Sequence, residues 1–355
     1  MAVETKSLPA SAPTQVSWSE LIAFVLMVSF LIVAPLFIYP VFLMKVLCFA
    51  LFACAFNLLI GYVGLLSFGH ALFFGWSSYV AAHLAKVGKI SIPYWSGHWI
   101  VIPLPPLPPE LAILGGTAIA ALFGLIAGSL AIRRQGIYFA MVTLALAQMM
   151  FFFALQAPFT GGEDGIQGVP RGVLFGVFDL SNIMTMYFTV FVIFVVCFLL
   201  IYRIIYSPFG EVLKAIRENE PRAISLGYKT ERYKLAAFVL SATLTGVAGS
   251  TKAIVFQLAS LTDVDWPMSG EVVLMTLLGG LGTVFGPALG ASIIITMQNY
   301  LASAGDITLH IFGFTLAMQP GQWVPVIQGA IFVICVLLFR RGIVGEIANF
   351  FRIRL

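Results

Sequence analysis

SPFGEVLKAIRENEPRAISLGYKTERYK, residues 207–234, is the stretch whose reading decides the fold. It holds ten of the chain's 34 charged residues in 28 positions. Apolar runs flank it at 185–206 and 235–256. Each is long enough to cross a hydrocarbon layer that needs about 20 residues. The stretch is therefore a polar connection hung between membrane helices. Pro208 and Gly210 open it as a turn. Val212, Leu213, Ile216, Ala223, Ile224 and Leu226 recur at roughly helical spacing, which predicts one or two short amphipathic helices. Pro221 is expected to break them, because the residue before a proline disfavours the helical region. Pattern alone leaves two readings: a solvated loop, or a docking element for a soluble motor.

The rest of the chain fits that setting. It is 60% hydrophobic and 10% charged, against about 25% charged in a soluble domain. Its mean hydropathy is +1.02. The net charge of +4 carries no nucleic-acid signal, because the basic residues sit at span ends. Cys48, Cys54, Cys197 and Cys335 fall in apolar runs without C-x-x-C spacing and read as small buried hydrophobes.

Working outward, spans are expected at 21–39, 41–60, 64–85, 111–132, 137–157, 185–206, 235–256 and 323–339. The first exceeds the core of a signal peptide and reads as a span. Residues 86–109 read as a loop whose PLPPLPP cannot be helical, and 158–184 as a Gly-rich loop. Orientation follows the Lys and Arg residues. With 207–234, Arg133-Arg134 and both termini in the cytoplasm, 14 of the 19 basic residues lie on that side. Lys86, Lys89 and Arg171 stay outside, and Lys45 and Lys252 fall near the outer ends of their spans. The apolar region 272–301 must then enter and leave on one side, as two short helices broken near 279–287 or as a re-entrant hairpin. The fold class is all-α and polytopic: about ten membrane elements in two five-helix halves, N- and C-termini cytoplasmic. GYVGLLSFGHALFFG (61–75) and GGLGTVFGPALG (279–290) are expected in equivalent places of the halves. Interrupted segments so placed point to a transport pathway. Close helix packing alone is the other explanation of their glycines.

The catalytic inventory is sparse. The sequence has no phosphate-cradling G-x-x-x-x-G-K-[ST], no His/Cys group at metal-ligand spacing and no Ser–His–Asp arrangement. No enzyme activity, metal or cofactor is expected. His70 reads as a packing residue more readily than a catalyst. Glu271 is placed at an element start, so no carboxylate inside the bundle supports a proton relay.

Four segments together carry a family resemblance: 61–85, TGGEDGI at 160–166, 213–250 and LMTLLGGLGTVFGPALGA at 274–291. In order, across about residues 40–340, they resemble the LivM type of branched-chain amino acid ABC transporter permease. The resemblance implies a bacterial inner-membrane protein with four kinds of neighbour. These are a second, LivH-like permease, two cytoplasmic ATPases, a periplasmic solute-binding protein and membrane lipid; nucleic acid is not among them. It implies a permease domain over 18–342, a flexible tail at 1–17 and a basic tail at 343–355. It also implies an ATPase-coupling segment within 207–234. There Arg217, Glu218, Glu220, Arg222 and Gly227 are the candidates, and Ile216 and Ile224 would fill a groove. Candidate pathway residues are Ser67, Gly69, His70, Tyr79, Gly280, Gly282 and Thr283. Candidate docking residues for the binding protein are Gly161, Gly162, Glu163 and Asp164. The expected function is ATP-driven import of branched-chain or related amino acids. Urea, amides or aromatic acids remain alternative cargoes within the family, and an ion-coupled secondary transporter is the alternative outside it.

Overall fold

The computed structural model describes residues 18–86, 89–94, 98–103, 107–134, 136–303, 307–311, 314–318, 324–338 and 342–350. In chain order the helices begin with α1 (Trp18–Val33), α2 (Pro40–Ile60) and α3 (His70–Lys86). A strand pair, β1 (Lys89–Tyr94) with β2 (His98–Pro103), precedes α4 (Pro109–Ala131) and α5 (Ile137–Gln156). Three two-residue strands follow, β3 (Ile166–Gln167), β4 (Val173–Leu174) and β5 (Phe178–Asp179), then α6 (Ile183–Ile205). The charged stretch forms α7 (Pro208–Glu218), α8 (Glu220–Ser225) and the start of α9 (Thr230–Phe256). The chain ends with β6 (Leu258–Ala259), α10 (Trp266–Gly279), α11 (Gly286–Ser303), the pair β7 (Ile307–Ile311) and β8 (Phe314–Met318), α12 (Val324–Leu338) and α13 (Gly342–Phe350). The fold is helical, with four two-stranded antiparallel ribbons among the described residues of the helix connections.

Among the described residues five helices, α2, α4, α5, α6 and α9, are long and apolar enough to cross a membrane. The 21 residues of α2 rise about 31 Å. It is the central helix, 89% buried over its most apolar window, and it packs against α6, α9, α10 and α11. A second cluster joins α3, α4 and α9. Here small residues decide the geometry. Ala112, Gly116, Ala120, Gly124 and Gly128 recur at i, i+4 on one face of α4 and are buried. A Cβ at Gly124 would lie 2.6 Å from the Ala242 methyl of α9, and one at Gly246 would strike Ala120. Backbones approach this closely only where side chains are nearly absent, as expected when lipid is as apolar as leucine. The large residues Leu114, Leu122, Leu125, Ile126 and Leu130 point outward instead.

Helix α1 is tied to α6 at both ends. Tyr202 and Tyr206 donate to the two Glu20 carboxylate oxygens at 2.8 and 2.6 Å, and Tyr187 donates to the Leu31 carbonyl at 2.5 Å.

The interruption expected at 279–287 is real. Helices α10 and α11, 14 and 18 residues long, pack against each other across the turn 280–285. Gly290 permits this, since a Cβ there would strike the Met275 carbonyl. Three expectations need correction. Residues 86–109 are not all loop, because β1 and β2 pair within them, and Pro109 opens α4 from a first-turn position where no N–H is needed. Pro221 likewise sits in the first turn of α8, and the break lies at Asn219, whose extended backbone (φ −155°) ends α7. The two Gly-rich interruptions are also not equivalent. One separates α2 and α3, the other α10 and α11, and the two meet in space, where a Cβ at Gly61 would lie 2.8 Å from the Gly282 nitrogen.

Candidate functional site

That meeting point lies at the end of the bundle carrying residues 207–234. The charged stretch is built to reach it. Ser207 caps α7, its hydroxyl accepting from the Gly210 N–H at 3.3 Å. Asn219 caps α8, its side chain accepting from the Arg222 N–H at 3.1 Å. With both ends fixed, α7 buries Gly210, Leu213 and Ile216 against the membrane helices. Ile216 is therefore spent inside its own chain and cannot fill a partner's groove. Helix α8 is held by the Lys234–Glu220 ion pair at 2.5 Å, with the Lys234 side chain almost wholly buried. Beyond it, Gly227 turns the chain at φ +89°. Glu218, Arg222, Ile224, Leu226 and Tyr228 are left exposed. Ile224 and Leu226, 55% and 69% exposed, are apolar groups that α8 and the turn after it offer to solvent.

Arg217 is exposed too, but its guanidinium reaches toward the bundle. Its Nη1 donates to the Gly61 carbonyl just after α2, and its aliphatic stem lies over Gly64, where a Cβ would be 3.2 Å from Cγ. A Cβ at Gly282 would lie 3.2 Å from the same Nη1. Asn57, one turn earlier on α2 and 3% exposed, closes the arrangement. Its Nδ2 donates to the Thr283 carbonyl at 2.9 Å, and its Oδ1 accepts from the Gly282 N–H at 3.1 Å. Gly280 and Gly282 adopt φ of +125° and +76°, which glycine tolerates without strain. Gly342, opening α13, packs on Gly280, where any Cβ would strike its backbone. So α2, α7, the 280–285 turn and α13 converge on one polar knot. Asn57 was missed from sequence. Its signal was present: with Lys45, it is one of two strongly polar side chains in the run 41–60.

The candidate pathway residues divide. Gly280, Gly282 and Thr283 belong to the knot. Ser67, Gly69, His70 and Tyr79 pack inside the chain, and among the described residues no hydrogen bond joins the two groups. Ser67 Oγ accepts from the Gly69 N–H at 3.2 Å, capping the turn into α3. His70 Nε2 lies 2.9 Å from Ser241 Oγ, which itself donates to the Ala55 carbonyl at 2.6 Å. The serine proton is thus committed, and His70 donates from Nε2 while Phe56, Phe73 and Phe238 close round it edge-on. That is a packing histidine. Tyr79 is fully buried, and among the described residues its hydroxyl has no hydrogen-bond partner.

At the opposite end, Gly161 and Gly162, at φ +79° and +61°, turn the chain after α5 and leave Glu163 and Asp164 exposed. Residues 166–167 pair with 258–259, joining this Gly-rich loop to the one after α9. Glu271 also needs correction. It is the sixth residue of α10, half-buried, and accepts from Gln298 of α11 at 2.7 Å. A carboxylate does lie inside the bundle.

Comparison with known proteins gives these features a context. Residues 40–336 match the family model of the branched-chain amino acid transport system, permease component. The high-affinity branched-chain amino acid transport permease LivM of Escherichia coli is 26% identical over 286 residues, 74% of this chain and 63% of its own. A probable LivH permease of Methanocaldococcus jannaschii is 27% identical, covering 41% of this chain and 45% of its own. The ribose import permease RbsC of Bacillus subtilis is 28% identical, covering 55% and 58%. The match thus spans under two thirds of these relatives' lengths. No solved structure matches.

Proposed function

The chain belongs to the permease component family of branched-chain amino acid transport systems, and on that premise we propose that it is one membrane subunit of an ATP-driven importer for branched-chain or related amino acids. A second, LivH-like permease would share the passage. Two ATPases would dock on the 207–234 end, in the cytoplasm of a bacterial inner membrane, and a solute-binding protein would deliver cargo at the Gly161–Asp164 end. The observation that carries this reading is Arg217. It lies on the polar stretch where a motor would push, and it grips Gly61 beside the α10–α11 turn. A shift of α7 is thereby transmitted to two interrupted membrane segments. Exposed Ile224 and Leu226 supply apolar contact, with Glu218, Arg222 and the Gly227 turn beside them. Gly280, Gly282 and Thr283 are the pathway residues best placed to move. Ser67, Gly69, His70 and Tyr79 would act by holding α3 against α2 and α9.

The test is ATPase stimulation in liposomes holding this chain, its partner permease, the ATPases and the loaded binding protein. Leucine, urea and benzoate are compared. Stimulation by leucine supports the reading, and stimulation by urea or benzoate alone moves the cargo elsewhere in the family. Uptake that follows an ion gradient without ATP would overturn it.

A further inference from the structure

At the end of the bundle opposite the charged stretch, six segments bring charges and amides together. Lys252 of α9 is ion-paired with Asp263, and both side chains are nearly buried. Glu271 of α10 accepts from Gln298 Nε2, which also lies 3.4 Å from Gln328 Oε1 of α12. Gln328 is 5% exposed, and among the described residues its Nε2 donor has no partner. Lys45, in the second turn of α2, is half-buried. It lies within electrostatic reach of Glu271, Lys252 and Asp263. Among the described residues no carboxylate forms an ion pair with it.

Two of these four charges are closed on each other, and two are open. Ionisable groups at membrane depth are costly unless they pair or face a pathway. The Lys252–Asp263 pair meets that demand by itself. Glu271 has the Gln298 amide but no cation paired with it, and Lys45 has no paired carboxylate, among the described residues. They are opposite charges within electrostatic reach with no ion pair between them among the described residues, and the Gln328 amide lies next to Gln298. The four formal charges sum to zero. A ligand carrying one ammonium and one carboxylate keeps that balance while satisfying both open groups. A monocarboxylate would confront Glu271 with a like charge, and a neutral amide would leave Lys45 uncompensated.

We propose that Lys45 and Glu271 form a binding station for a zwitterionic α-amino acid, Glu271 taking the ammonium, Lys45 the carboxylate, and Gln328 Nε2 donating to the second carboxylate oxygen. The proposal rests on the importer reading and narrows its cargo to amino acids over urea, amides and aromatic acids.

Binding is measured on the purified membrane complex without the soluble binding protein, by saturation-transfer NMR. The ligands are leucine, 4-methylpentanoate (carboxylate only) and leucinamide (ammonium only). Leucine is expected to bind about 10- to 100-fold more tightly than either analogue, the worth of one hydrogen bond to a charged group. Lys45→Met should erase the advantage over leucinamide, and Glu271→Gln the advantage over 4-methylpentanoate. Equal binding of all three by the wild type overturns the station. So does equal weakening of all three in both variants, which marks a structural role. If a variant fails to assemble, the wild-type comparison still decides. Leucine-driven uptake in liposomes, run in parallel, reports on the importer reading separately: uptake without binding at this station sinks the station alone.

Discussion

Replacing Asn57 with leucine removes the side chain that joins α2 to the α10–α11 turn. Leucine is close in size, so little cavity forms, and the loss is chiefly polar. The Gly282 N–H and the Thr283 carbonyl both lose their Asn57 partner. A buried backbone group left without a partner costs about 1–3 kcal/mol. Interhelical hydrogen bonds in membranes measure lower, about 0.6 and at most about 1.7 kcal/mol each. Two such groups at a partly buried turn give an expected destabilisation of about 2–4 kcal/mol. The assay is reversible unfolding of the purified chain in mixed micelles with increasing SDS, followed by circular dichroism. Asn57→Leu within about 0.5 kcal/mol of the wild type would refute the claim that the knot is held by this residue.

Other consequences are equally open to measurement. Lys252→Met should destabilise by about 3–5 kcal/mol by stranding nearly buried Asp263, while Lys252→Met with Asp263→Leu should recover most of it; additive losses in a double-mutant cycle would contradict the pairing. Gly342→Leu should disturb the seat of α13 on Gly280, read as faster proteolysis of the C-terminal segment, and unchanged cleavage would contradict that seat. A cysteine at Glu163 should react with an impermeant thiol reagent on intact cells, and one at Ile224 only after the membrane is opened; the reverse pattern would invert the proposed orientation.

The membrane helices were legible because a bilayer demands about 20 apolar residues in a row. Thus α2, α4, α5 and α6 begin and end within about two residues of expectation, and the Gly and Pro residues of 279–287 announced their turn. What each side chain faces was less legible. In lipid the usual amphipathic signal fades, since Leu114 outward and Ala112 inward are both apolar. The charged stretch looked amphipathic, yet sequence could not tell that Ile216 turns in and Ile224 out, because that depends on where α7 lies against the bundle. Pro221 was misjudged because a proline stops a helix from the inside and starts one from its first turn. Asn57 was passed over, and Glu271 was read as an element start, because one polar residue in an apolar run has meaning only once its partner, here Thr283 or Gln298, is known.

The central claim is that the 207–234 stretch drives the interrupted membrane segments through Arg217. The direct measurement is the number of leucine molecules taken up per ATP hydrolysed by liposomes containing the full complex, wild type against Arg217→Ala. Loss of a charge-assisted hydrogen bond worth about 1.5–3 kcal/mol should cut that ratio about tenfold or more while ATP hydrolysis continues. An unchanged ratio, with the variant assembled normally, would show that force reaches the passage by another route.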